Sequence, residues 1–175
     1  MGVAHEEKVM TTEIERWIRE EGKVFLEDIG IRKAQRVLDF GCGAGTYTIP
    51  VAKVVGKEGK VYALDKDREV LNQLEQTAKS EGLKNIVSIV DQSEELKINL
   101  EDESIDAMLL YDILHYLQPE KRRRVYENGY RILKTGAILS VYPKHCKSDE
   151  PLWNLSNMEL EDVIEEIKSA NFFLR

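Results

Sequence analysis

The chain has 175 residues, enough to bury one core and too few for two ordinary domains. Charged residues make up 33% and hydrophobic residues 42% of it, which excludes a disordered chain, and a net charge of −7 disfavours a nucleic-acid backbone as partner and favours small molecules. No apolar run approaches the ~20 residues of a membrane span, and "MGVAHEEKV" lacks the basic start and apolar stretch of a signal peptide, so a cytoplasmic location is expected, with Cys42 and Cys146 reduced and unpaired.

Ahead of the first strand, Ile14, Trp17 and Ile18 predict a short amphipathic helix, followed by "GKVFLEDIGI". Residues 1–34 are expected to form a lid or a core-covering helix. From residue 35 onward, short β-branched runs alternate with helical patterns, as parallel strands joined by crossover helices do. The predicted strands are "RVLDF" (36–40), "KVYALD" (60–65), "NIVSIV" (85–90), "IDAMLLY" (105–111) and "AILSVY" (137–142), and their continuous hydrophobicity suits strands covered on both faces. Val70, Leu71, Leu74 and Ala78 recur at helical spacing, as do Leu160, Val163, Ile164 and Ile167. The segment 119–133 carries Val125, Tyr126, Gly129, Ile132 and Leu133, and "KTG" at 134–136 reads as the stop before the fifth strand. One α/β domain over 1–175 is expected, with its core at 35–175.

Between the first strand and its helix stands "GCGAG", residues 41–45. A glycine loop there lets backbone approach a ligand closely, and the helix start offers free N–H groups to an anion. Dinucleotide folds want G-x-G-x-x-G; here the glycines are Gly41, Gly43 and Gly45, and Thr46 occupies the place of the third. Asp39, two residues ahead of the loop, would repel a pyrophosphate and attract an ammonium group. A P-loop is excluded because no Gly-Lys-Ser or Gly-Lys-Thr follows.

"VLDFGCGAG" resembles the first motif of the class I S-adenosylmethionine-dependent methyltransferases, an apolar strand ending in Asp-x-Gly-x-Gly-x-Gly, and later segments agree in order and spacing. "ALDKD" (63–67) resembles their second acidic motif, "IVDQSEEL" (89–96) the third, "SIDAMLLYDILHYL" (104–117) the fourth, and "RILKTGAILSV" (131–141) the lead into strand five. The likeness covers residues 36–142 and is nearest to the small-molecule methyltransferases grouped with those of ubiquinone and menaquinone synthesis. It implies a three-layer Rossmann-like sandwich with a mostly parallel sheet, S-adenosylmethionine as cofactor and S-adenosylhomocysteine as product. The resemblance assigns Asp39, Gly41, Gly43, Gly45 and Tyr111 to the cofactor site, puts the ribose hydroxyls on Asp65 beside Lys66, and sets Asp91 and Gln92 against the adenine. Asp91 can equally cap the turn "QSEEL".

Methyl transfer asks mainly for alignment and, for a hydroxyl or acidic carbon, removal of a proton. The candidate bases follow strand four, at the carboxyl edge where open sheets bind ligands: Tyr111, Asp112, His115 and Tyr116. Asp112 and His115 would share a face if "DILHYL" is a helical turn; a histidine packed between helix and sheet is the plainer reading of His115. His5, His145 and Asp149 make no zinc site, and no metal is expected. "KRRR" (121–124) reads as a solvated helix face, and the DNA-methylase motif after strand four is absent, where "YDIL" stands. The antiparallel hairpin that usually completes the family's sheet is missing or incomplete after "ELEDVIEEIKSA", and an uncovered edge strand invites pairing with a second chain. Two rival readings are a cofactor-binding protein without turnover and a nicotinamide-dependent oxidoreductase.

Overall fold

The computed structural model of the chain describes residues 16–93, 96–143 and 158–175. His5, Ile14, His145, Cys146 and Asp149 lie outside the described residues. In chain order the elements are a π-helical segment Trp17–Glu21 leading into α1 (Gly22–Asp28), β1 (Arg36–Phe40), α2 (Thr48–Val55), β2 (Lys60–Asp65), α3 (Arg68–Ser80), β3 (Ile86–Val90), β4 (Ile105–Tyr111), a 3-10 turn Leu114–Tyr116, α4 (Pro119–Ile132), β5 (Leu133–Tyr142) and α5 (Leu160–Ser169).

The five strands form one sheet in the order β3-β2-β1-β4-β5, every neighbouring pair parallel. Alternation along the central strands sorts side chains onto two faces. Val37, Ala107, Leu109 and Tyr111 pack with Leu26 and with Val51, Val54 and Val55 of α2. Leu38, Phe40, Met108 and Leu110 pack on the other face with Val125, Tyr126 and Ile132 of α4 and Val163 of α5. The order reverses between β1 and β4, which opens a crevice at the carboxyl ends of those strands, where an α/β sheet takes its ligand.

Three sequence expectations shift in their boundaries or surroundings. The helix that begins near Trp17 runs on through "GKVFLED", with the Gly22 N–H bonded to Trp17 O across a π turn. β3 begins at Ile86, and Asn85 just before it accepts from Val61 N with its carbonyl while its side-chain amide donates to Ala52 O (2.8 Å) and Gly56 O (2.9 Å), tying up carbonyls at the end of α2. The "KTG" stretch belongs to β5: the register passes from Ile105↔Leu133 to Ala107↔Ile138, so the extra residues bulge within the strand.

The basic run requires a correction. Arg123 is exposed and pairs with Glu127, but Arg122 is 1% exposed. Its guanidinium donates to both oxygens of Glu166 on α5, from Nε at 2.8 Å and from Nη2 at 2.6 Å, and its Nη1 donates to Leu117 O at 2.9 Å. Helical periodicity turns one residue of "KRRR" inward, and only the fork of an arginine satisfies a carboxylate and a carbonyl at once. Among the described residues no helix is long and apolar enough to cross a membrane, and no strand follows α5.

Removing the Glu166 carboxylate leaves a buried guanidinium without its counter-charge, so Glu166→Ala should cost about 3 kcal/mol or more. Arg123→Ala, on the solvated face, should cost under about 0.5 kcal/mol. Urea unfolding of the two variants checks the contrast, and equal midpoints would refute it.

Candidate functional site

The loop after β1 is built by three glycines with three different duties. All three have left-handed backbone, with φ of +75° at Gly41, +52° at Gly43 and +97° at Gly45, a conformation that disfavours side chains. A Cβ on Gly41 would press into Ile113 at 2.6 Å, and one on Gly45 into Leu74. A Cβ on Gly43 would meet nothing within 4 Å. The outer glycines let the loop lie against protein, whereas Gly43 faces open space that a ligand can use.

Neighbouring strand ends hold this loop. The N–H groups of Gly41 and Cys42 donate to Leu64 O, at 2.8 and 3.1 Å. At the end of β2, Asp65 Oδ2 accepts from Gly43 N at 2.8 Å and its Oδ1 from Asp67 N at 3.0 Å, while its carbonyl accepts from Asp91 N at 3.0 Å. Asp91 Oδ1 accepts from Ser93 N at 2.8 Å, an Asx turn, and its Oδ2 is buried without a hydrogen-bond partner among the described residues. Gln92 reaches back to Lys66 O at 3.3 Å, and both residues are exposed at the rim. Gly43, Asp65, Lys66, Asp91 and Gln92 thus converge along the carboxyl ends of β1, β2 and β3.

An adenosine-bearing ligand fits this donor set on two observations: the open side of Gly43 and the unpartnered Asp91 Oδ2, a buried acceptor suited to an amino group. Asp39 differs from the other acids in being almost wholly buried, at 1% exposed. The Thr48 hydroxyl donates to its Oδ2 at 2.6 Å. Burial pushes its carboxyl up to about 6, with the Thr48 bond opposing and the charge of Asp65 adding to the rise. Burial, then the charges of Asp39 and Asp65, also push the Cys42 thiol up, so it stays protonated and is no nucleophile at neutral pH.

The other candidates stand around β4. Tyr111 is buried; its hydroxyl lies 2.6 Å from Ser140 Oγ, and burial pushes it up to about 12. Asp112 has left-handed backbone, φ +54°, and accepts a long hydrogen bond of 3.4 Å from the Tyr47 hydroxyl. His115 is buried in the Leu114–Tyr116 turn with its ring 4.1 Å from that of Tyr116. Asp112 lies before that turn, so the pair does not share a helical face as the spacing suggests. Two features escape the sequence reading. Thr48, nine residues past Asp39, is a hydroxyl at the first helical position, a signal a search for buried partners could use. The aromatic side chains Trp17, Phe25, Tyr47 and Tyr142 gather beside Tyr111, and of these only the Tyr111↔Tyr142 register is foreseeable, from pairing β4 with β5. Among the described residues no group of three His, Cys, Asp or Glu side chains is placed to hold a metal ion.

Residues 37–136 match the family described as "Methyltransferase domain". A demethylmenaquinone methyltransferase of Geobacillus stearothermophilus is 34% identical over 120 residues, 66% of this chain and 48% of that protein. A probable cobalt-precorrin-6B C(15)-methyltransferase of Saccharolobus solfataricus is 25% identical over 79% of this chain and 70% of its own length. A tRNA N(3)-methylcytidine methyltransferase of Schizosaccharomyces pombe is 29% identical over 91% of this chain and 50% of its own length. The chain therefore spans about half the length of two of these three relatives. The crystal structure of a SAM-dependent methyltransferase from Aquifex aeolicus superposes with a TM-score of 0.74 at 28% identity, covering 94% of this chain and 89% of that one.

The burial of Asp39 has a measurable pH signature. Its folded value, about 6, lies above its unfolded value of 3.8, so its contribution to stability is complete below pH 3.8 and is lost as pH rises through 6. Relative to Asp39→Asn, which stays neutral throughout, the wild type should lose up to about 3 kcal/mol between those limits. Urea unfolding of both proteins on either side of the window measures it; parallel pH curves would contradict it.

Proposed function

The chain belongs to the class I S-adenosylmethionine-dependent methyltransferases, and from that premise we propose that it methylates a small-molecule acceptor in the cytoplasm. S-adenosylmethionine is its cofactor and, when bound, supplies a methyl group already activated by a sulfonium. The protein's own work is then to hold, orient and deprotonate.

We assign the holding to the residues that converge on the glycine loop, and one observation carries the assignment: the side of the loop at Gly43 stays open while its N–H is fixed by Asp65 Oδ2. Each oxygen of Asp65 has spent one lone pair on the loop or on Asp67 and has another for a ribose hydroxyl. Asp91 Oδ2 takes the adenine amino group, with Lys66 and Gln92 as flanks. Asp39 faces the ammonium side, where a cation returns its carboxyl to the ionised form. Gly41 and Gly45 shape the loop, and Tyr111 borders its far end. Asp112 receives the acceptor's proton, and buried His115 positions the turn behind it.

Charge supports a small acceptor over a nucleic acid. The net charge is −7, Arg122 is spent internally, and Arg16 is paired with Glu21. Two relatives carry names of small-molecule methyltransferases, and the tRNA enzyme is the competing precedent. We read residues 1–34 as a cover on a single domain, supported by the Trp17 indole donating to Thr46 O at 3.1 Å. A second copy is proposed on the outer edge of β5, near which Phe173 and Leu174 are exposed.

Calorimetric titration should find binding of S-adenosylmethionine and S-adenosylhomocysteine and none of NAD. Gly43→Val should abolish that binding while costing the fold only about 1–3 kcal/mol of backbone strain, and Asp65→Ala should weaken it about tenfold to a hundredfold. Binding of NAD alone would overturn the assignment, and binding without turnover on any small acceptor would make this a cofactor-binding protein. Light scattering should show a dimer; a monomer at every concentration would remove the second copy.

A further inference from the structure

We infer that the pocket between the Trp17 segment and the ends of β4 and β5 binds a flat aromatic acceptor carrying a hydroxyl group, an inference that rests on the methyl-transfer reading above. The cavity measures about 750 Å³ and is walled by Trp17, Phe25, Tyr47, Tyr111 and Tyr142. Four of these rings close a circuit: Trp17–Phe25 at 5.5 Å, Phe25–Tyr111 at 6.3 Å, Tyr111–Tyr47 at 4.8 Å and Tyr47–Trp17 at 5.7 Å. Tyr142 adds a fifth ring at 6.5 Å from Tyr111. Each edge-on contact covers one face of one partner only, so the five rings do not cover all of one another's faces, and another ring is the shape that uses the rest. Phe25 is 40% and Tyr142 51% exposed, so the wall is not a finished core.

Two sets of polar groups in the wall select within the aromatic class. At the inner end stand the Tyr111–Ser140 hydroxyl pair and the Tyr47 hydroxyl on Asp112. At 3.4 Å the second bond is near the limit of hydrogen bonding, and a ligand hydroxyl between the two groups would replace it with two shorter ones. Burial and the charge of Asp112 push the Tyr47 hydroxyl up, so it remains a neutral donor beside that carboxylate. At the mouth, Arg16, the one Lys or Arg among the described lining residues, is bound to Glu21 at 2.8 Å and already has its counter-charge. An RNA base could also stack on these rings, but among the described lining residues its backbone would find a single, already paired cation. The pocket adjoins the glycine loop, since Trp17 is bonded to Thr46 and Tyr47 follows it.

The test uses the full chain with S-adenosylhomocysteine bound, and three probes of one size: β-naphthol, naphthalene and decahydro-β-naphthol. β-Naphthol should bind in calorimetry and shift the indole N–H resonance of Trp17, identified by its persistence in Trp153→Phe. Naphthalene, lacking the hydroxyl, should bind about tenfold more weakly, and the puckered alcohol should also lose about tenfold. Phe25→Ala and Tyr142→Ala, at half-exposed positions the fold can spare, should each weaken β-naphthol about threefold to tenfold without changing S-adenosylhomocysteine affinity. Equal binding of the planar and puckered alcohols, variants without effect, or displacement of β-naphthol by unmodified tRNA would each overturn the inference. If S-adenosylhomocysteine fails to bind while β-naphthol still shifts Trp17, the methyl-transfer reading fails and the aromatic pocket stands.

Discussion

The hydrogen bond from Gly43 N to Asp65 Oδ2 is the constraint on which the rest of the site depends. It joins the loop after β1 to the last residue of β2, and the carbonyl of Asp65 passes the connection to Asp91 at the end of β3. A loop with three left-handed residues is entropically costly to order. Here the cost is offset by charge-assisted bonding to a carboxylate that the sheet already holds in place. The same carboxylate is the group through which the family resemblance expects ribose to be held. On that expectation, loop geometry and ligand recognition would share one side chain, and altering one would alter the other.

Acidity is distributed unevenly over this edge of the sheet. Asp65 and Asp91 sit at strand ends with backbone donors, whereas Asp39 lies one residue deeper, buried against the start of α2 with a single hydroxyl partner. That depth makes Asp39 sensitive to any cation that approaches and costly to ionise without one. A cluster of this kind is matched to a ligand with positive charge at one end and hydroxyl and amino groups at the other. It suits a dinucleotide pyrophosphate poorly.

The two faces of the sheet divide the labour. Against α4 and α5, the Arg122–Glu166 pair locks helix to helix inside apolar surroundings. On the other face, α1 and the π turn before it lay Trp17 and Phe25 over Tyr47 and Tyr111, so this segment is part of the pocket wall. The π turn gives the Trp17 segment an extra residue per turn, as such insertions often do near functional sites.

The sequence by itself determined the strands, their parallel pairing and the glycine loop, because these follow from local periodicity and from residue types that few other conformations tolerate. β1, β2 and β4 have the bounds read from "RVLDF", "KVYALD" and "IDAMLLY". The positions of Asp65, Asp91 and the three glycines at strand ends were legible for the same reason, whereas the cofactor roles expected of them came from the family resemblance. Only the tertiary structure decided what depends on distant residues meeting. It separated Gly43 from Gly41 and Gly45, since Ile113 and Leu74 lie far along the sequence. It turned Arg122 inward to a partner forty-four residues away, and put Asp112 and His115 on different local backbone. It also assembled an aromatic wall from five segments. No single window of sequence contains those contacts, because burial and ring packing are set by the closure of the whole sheet and its helices.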